Sequence, residues 1–166
     1  MIQIGAPSAT LDAPVDHLMA CHRRIEQRLD TLNAAADHLT TDAPGALEAI
    51  RRSIQFLDSN GAMHTEDEQA SLFPRLRPKL SAEELAYVDS LEDQHRQAEA
   101  IYAELKTLAS EAADHVERYR DCAAHLRSLY REHIRSEDEI LTRLARRSLS
   151  TDELASISAE MRQRRA

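Results

Sequence analysis

Along four long stretches of this chain, apolar residues recur at alternating steps of three and four. The first stretch gives Val15, Leu18, His22, Ile25, Leu29 and Leu32. The second gives Leu47, Ile50, Ile54, Leu57, Gly61, His64, Glu68 and Leu72. The third gives Leu85, Val88, Leu91, His95, Ala98, Tyr102 and Leu105, and the fourth Tyr119, Cys122, Leu126, Leu129, His133, Glu137, Ile140 and Leu144. Such stepping lays one stripe along a helix and turns it toward a bundle core.

The punctuation agrees with that period. Asp12 followed by Pro14 starts a helix expected over 14–38. A turn cluster at 40–45 precedes a second helix, expected over 44–73 and ended by Pro74, with a kink or fray at Gly61 beside Ser59 and Asn60. Ser81 and Glu84 have the spacing of a capping box and open a third helix, expected to reach 109. A weakly marked break near 110–113 leads to a fourth, expected to reach 147. Thr151, Asp152 and Glu153 cap a short fifth helix to about 163. Each long helix spans about 30 Å or more. The expected architecture is all-α: an antiparallel up-down four-helix bundle over 13–148. A tail at 1–12 precedes it, and a C-terminal helix within 149–166 packs on it or extends it.

Composition removes other classes. A length of 166 residues suits one domain with its own core. Three Gly and five Pro are too few for the many tight turns of an all-β fold. A net charge of −8 argues against nucleic acid as a partner. No apolar run approaches the ~20 residues of a membrane span, so no membrane partner is expected. The first residues lack a signal-peptide pattern, and the expected location is cytoplasmic. Cys21 and Cys122 form no CxxC motif and read as small buried apolar groups.

The chemistry lies in what interrupts the stripes. Each of the four carries a His at a core position: His22, His64, His95 and His133. Two carry a Glu one turn further on, and His-x-x-x-Glu-x-x-x-Leu occurs twice, about 70 residues apart, as His64-Glu68-Leu72 and His133-Glu137-Leu141. An i, i+4 spacing puts imidazole and carboxylate on one helix face. Two carboxylates and four imidazoles in a core are costly unless paired or bound to metal. Carboxylate and imidazole without thiolate suit iron or manganese better than a Cys-rich structural zinc site. The expected metal residues are therefore His22, His64, Glu68, His95, His133 and Glu137.

These residues resemble the hemerythrin-like HHE cation-binding domain family. The resemblance covers about 14–147. It rests on His22 within Cys21-His-Arg-Arg-Ile-Glu26, on His64-Thr-Glu-Asp-Glu68 with Leu72-Phe-Pro74, on His95, and on His133-Ile-Arg-Ser-Glu137. It implies two non-haem iron ions, oxo- or hydroxo-bridged, with the four His as terminal ligands and Glu68 and Glu137 as bridges; iron is preferred over manganese or zinc. The sequence departs from the oxygen-carrying hemerythrins, which have a second His one turn after the third-helix ligand. Glu99 stands there instead, as an outer hydrogen-bond acceptor, an extra ligand or a salt-bridged flank. Their fourth helix also uses a longer spacing, to an Asp. Simple reversible oxygen carriage is thus not the expectation. Two six-coordinate irons offer about twelve positions; the six side chains and a bridge fill about ten, leaving about one open on each iron.

Three functions are compatible with that count. The first is a di-iron protein that binds or reacts with O2, NO or peroxide, for sensing, scavenging or iron handling. The second is a redox enzyme of peroxidase or NO-reductase type. The third is a metal-stabilised interaction module without turnover. The expected partner is a small diatomic or peroxide ligand. Gly61 and Ala98 either leave room for it or permit close helix packing. His17, His38 and His115 read as surface residues, and His125 as nearer the core face. Glu66 and Asp67 read as a solvated face, and Arg162, Arg164 and Arg165 as basic residues suiting a helix C-terminus. Asp67 and Asp138 are the reserve bridging candidates beside Glu99.

Overall fold

A computed structural model describes residues 10–166. The expected tail at 1–12 therefore lies almost wholly outside the described residues. Every regular element among them is helical. Helix α1 is Pro14–His38, α2 covers 43–79, α3 is Ala82–Ala109, α4 covers 116–148 and α5 is Thr151–Arg164. Helix α1 packs against α2 and α4, and α3 against α4, whereas α2 and α3 meet less extensively. Helix α5 lies on α1 and on the 67–72 segment of α2. No described helix is long and apolar enough to cross a membrane.

Most boundaries fall where the sequence places them, and the exceptions have physical reasons. Helix α2 does not end at Pro74 but continues to Lys79. Just before the proline the Phe73 N–H bonds the Glu68 carbonyl, five residues back, closing a π-turn over Asp67–Leu72. Pro74, which has no N–H to give, falls where the ladder is already changing register. The suspected irregularity at Gly61 is another π-turn, Leu57–Gly61. A third, Glu137–Leu141, interrupts α4. Asp12 does not cap α1, whose first residue follows Ala13 without a side-chain cap; Asp12 pairs with Arg162 instead. Ser81 and Glu84 form their capping box. Helix α5 has the same device one residue earlier than expected, at Ser150 with Glu153. Turns at 110–115 delay α4 to Val116.

The core is divided. One apolar cluster holds Ile25, Leu29, Leu32, Ile50, Leu105 and Leu126. A second holds Leu18, Leu72, Phe73, Leu91, Leu141 and Met161. On α2 and α3 the expected His falls between the residues of one cluster and those of the other; on α1 and α4 it lies at the changeover, beside Cys21 and Ile134 of the first cluster. Cys21 and Cys122 are buried free thiols, as read from the sequence.

Candidate metal centre

Helix α1 places His22 in the core between Leu18 and Ile25, α2 places His64 and Glu68, α3 places His95, and α4 places His133 and Glu137. All six are buried. The same local arrangement occurs on α2 and α4. Glu68 and Glu137 each give their carbonyl to an N–H five residues on, that of Phe73 and of Thr142. Two successive steps of four drift about 40° each around an α-helix. The extra residue of the π-turn returns Leu72 and Leu141 to the core face, where both are buried. Ile140, the stripe residue expected from the α-period, is only partly buried for the same reason.

The six side chains converge as two overlapping groups. His22, His64, Glu68 and Glu137 form one, and His95, His133, Glu68 and Glu137 the other, with ligand-type atoms within 4.8 Å of one another in each. The glutamates belong to both. His22 Nε2 lies 3.1 Å from His64 Nε2, and His95 Nε2 lies 3.0 Å from His133 Nε2. Glu68 reaches toward the two pairs with different oxygens: Oε1 is 3.4 Å from His64 Nε2, and Oε2 is 3.4 Å from His95 Nε2. Glu137 Oε2 stands 3.1 Å from His22 Nε2 and 3.2 Å from His133 Nε2. None of the four carboxylate oxygens makes a properly oriented hydrogen bond. Buried carboxylates without partners are costly. Cations between the imidazole pairs would satisfy them, so the donor set fits a pair of metal ions.

Outer contacts hold the imidazoles. His22 Nδ1–H donates to Asp138 Oδ1 at 2.8 Å, and His133 Nδ1–H donates to Gln94 Oε1 at 2.8 Å. Each bond places the proton on Nδ1 and leaves Nε2 free to point inward. His95 Nδ1 lies 3.1 Å from the Gln69 amide, and its ring stacks on Phe73. Burial would lower the His22 imidazole, but the hydrogen bond to Asp138 and the nearby carboxylates of Glu137 and Glu68 hold it up to about 12. Burial is likewise outweighed at His95, which Glu68 raises. At His64 burial wins, and the group is lowered. Burial would raise Glu68, yet His64, His22 and His95 hold it well below the usual carboxylate range. Glu137 is also held low, by His133 and His22 against burial and the charge of Glu68. Two carboxylates kept ionised in a core are prepared for cations.

The hemerythrin HHE cation binding domain family matches residues 13–145. The chain belongs to this family. An uncharacterized protein of Haemophilus influenzae is 26% identical over 163 residues, covering 95% of this chain and 92% of its own length. This chain is thus a metal-binding, hemerythrin-like protein.

Several residues of this hemerythrin-like domain sit elsewhere than the sequence reading put them. Asp67 is wholly buried, not on a solvated face. Arg164 Nη1 lies 2.8 Å and Arg165 Nη2 2.6 Å from its carboxylate. These arginines close an ion pair rather than simply complement a helix end. Glu160 joins the same cluster, 2.6 Å from Arg75 and 2.5 Å from Ser71 Oγ. The whole cluster fastens α5 to the π-turn that carries Glu68, using residues beyond the family match. His125 is exposed rather than near the core, and His38 and His115 are exposed as expected. Glu99 lies outside both groups and lines a cavity between α2 and α3 with Gly61. Ala98 is buried in the first apolar cluster. Tyr102 donates to Asp58 and to the Ile54 carbonyl, away from the imidazoles. Asp138, a reserve bridging candidate in the sequence, instead holds His22 from outside, and Gln94 and Tyr130 were not singled out as contacts of the centre. Asp138 was legible, since it follows Glu137 in a helix that faces α1; Gln94 and Tyr130 carry no such signal.

Proposed function

We propose that the protein is a non-haem di-iron protein of hemerythrin-like type, built on an antiparallel up-down four-helix bundle. It binds or reacts with O2, NO or peroxide at an open iron position. The observation that carries this reading is the set of four buried carboxylate oxygens without hydrogen bonds, between two inward-facing imidazole pairs. His22 and His64 would hold one ion, His95 and His133 the other, and Glu68 and Glu137 would bridge them. Iron so held supplies redox chemistry and an exchangeable coordination position. Asp138 and Gln94 keep Nε2 of His22 and His133 available. Metal at His95 Nε2 requires Nδ1 to carry the proton, and a flip of the Gln69 amide supplies the acceptor.

A second reading, turnover of peroxide or NO, is favoured by Tyr130. Its ring lies 6.2 Å from that of His133. Burial and the charges of Glu68 and Glu137 push its phenol up to about 12, so it stays protonated as a donor at neutral pH. Metal analysis of anaerobically purified protein, followed by absorption spectra with O2, NO and peroxide, tests both readings. About two irons per chain are expected. One tightly bound zinc and no iron overturns the di-iron reading. Rapid, catalytic peroxide or NO consumption selects the second reading over stoichiometric binding.

A further inference from the structure

A cavity of about 820 Å³ lies between α2 and α3, which meet less extensively than α1 with α2, α1 with α4 or α3 with α4. Small residues open it: Gly61 and Ala62 on one wall and Ala103 on the other. Leu57, Leu126 and Tyr130 form apolar lining. Of the six residues of the metal centre only His95 lines it, so the cavity reaches one imidazole pair and not the other. Small-molecule sites occupy roughly 300–1,000 Å³. A water molecule's share of liquid is about 30 Å³. A diatomic gas therefore leaves nearly all of this space unfilled.

The charges around the cavity show what it selects. Asp58 is paired with Lys106 at 2.9 Å, and Glu92 with Arg77 at 2.9 Å. Arg96 is paired with Asp93, and Glu66 with Arg164 at 3.5 Å. Glu99 lines the cavity, is exposed to solvent, and has no ion-pair partner among the described residues. The phenol oxygen of Tyr130 makes no hydrogen bond among them either, leaving a free donor. An apolar chamber with one uncompensated negative charge favours a cation with an apolar body and disfavours an anion.

We propose that this cavity binds a small organic amine, its ammonium at Glu99 and its apolar body against Leu57, Leu126 and Tyr130, with one end beside His95. Binding rests on the cavity alone; nearness to iron rests on the di-iron reading above.

The test uses the full-length protein, metal-free and iron-loaded, with tyramine and 4-hydroxyphenylacetate as probes of matched ring and opposite charge. Calorimetry and ligand-observed NMR should show tyramine binding about two- to fivefold tighter, the size expected of one exposed charge. Glu99→Gln should remove that preference. Ala62→Phe, at an exposed wall position, should abolish binding of both probes while leaving metal content unchanged. Bound tyramine resonances should broaden on iron loading. No tyramine binding, a preference for the anion, a preference that survives Glu99→Gln, or binding unaffected by Ala62→Phe overturns the proposal. Metal analysis of the same samples separates the two readings. Tyramine binding to a protein that takes up no iron supports the cavity and refutes the di-iron centre. Iron loading without tyramine binding does the reverse.

Discussion

The Asp67 carboxylate, wholly buried, lies 2.6 Å from the guanidinium of Arg165, 98 positions later in the chain. Arg164 approaches the same carboxylate from 2.8 Å. Both arginines are mostly buried, so solvent screens these pairs less than surface ones. Removing the partners of a buried charge costs about 3–5 kcal/mol. Replacing Arg164 and Arg165 together with Ala should lower stability by about that amount in denaturant unfolding, and should lower iron occupancy because Glu68 is the next residue. Adding Asp67→Ala should restore part of the stability. A loss below about 1 kcal/mol would show that the clamp carries little energy.

The two kinds of metal residue should respond differently to removal. Glu68→Ala or Glu137→Ala takes a donor from both groups and should leave well under one iron per chain. His22→Ala or His95→Ala takes a donor from one group and should retain partial occupancy. Asp138→Asn weakens the acceptor that holds His22 Nδ1–H and should reduce metal affinity about 10- to 100-fold. His17→Ala and His115→Ala should keep full metal content. Two irons with an unchanged oxo-bridge absorption band in both Glu variants would refute the bridging assignment.

Acidity separates the metal-free and loaded forms. His22 rises from 6.5 to about 12 on folding without metal, and His95 is also raised. A group raised on folding contributes stability that is complete below its unfolded value and is lost as pH climbs toward the folded one. His64 is lowered, so above 6.5 it is neutral in both states and drops out; the two held-down glutamates are ionised in both. Metal-free protein should therefore lose stability steadily as pH rises from about 6.5 toward the folded His22 value of about 12. Loaded protein should not, because the imidazoles must shed protons to bind metal. Tm measured across this range should fall only for the metal-free form, and loaded protein should melt higher throughout. Parallel curves would argue against a buried centre.

Gly61 tests whether the open seam beside it depends on a missing side chain. A Cβ there would meet Leu57 Cδ2 at 3.6 Å, an ordinary contact. Gly61→Ala should raise stability by up to about 1 kcal/mol through helix propensity, with unchanged iron content. A lower Tm would mean that the π-turn needs glycine at this position.

The helices and all six inward residues were legible because both show in one local period. A His or Glu on an apolar stripe is visible in the sequence whatever the helix packs against. Asp67 was not legible, since it is one residue off the α2 stripe and is buried only because α5 returns over it. His125 is two turns from His133, and the accumulated drift of the helix carries it to solvent. The π-turns lay between these cases. The paired steps of four in His64-Glu68-Leu72 and His133-Glu137-Leu141 signalled them, but Pro74 read more simply as a stop. Which seam would stay open could not be read from any stripe, because it depends on how two helices fail to fill the space between them.

The polar layer that separates the two apolar clusters also bears on how the molecule comes apart. Leu29, Leu32 and Leu105 belong to one half-core, and Phe73, Leu141 and Met161 to the other, with Glu68 and Glu137 between them. Without cations, two ionised carboxylates sit in that seam, and the halves share little apolar contact across it. Heat or denaturant can then release them as separate units, in two overlapping transitions. Cations held there would tie all four helices together at the seam. The chain then melts as one body, and amides on both sides of the layer exchange with solvent at a common rate.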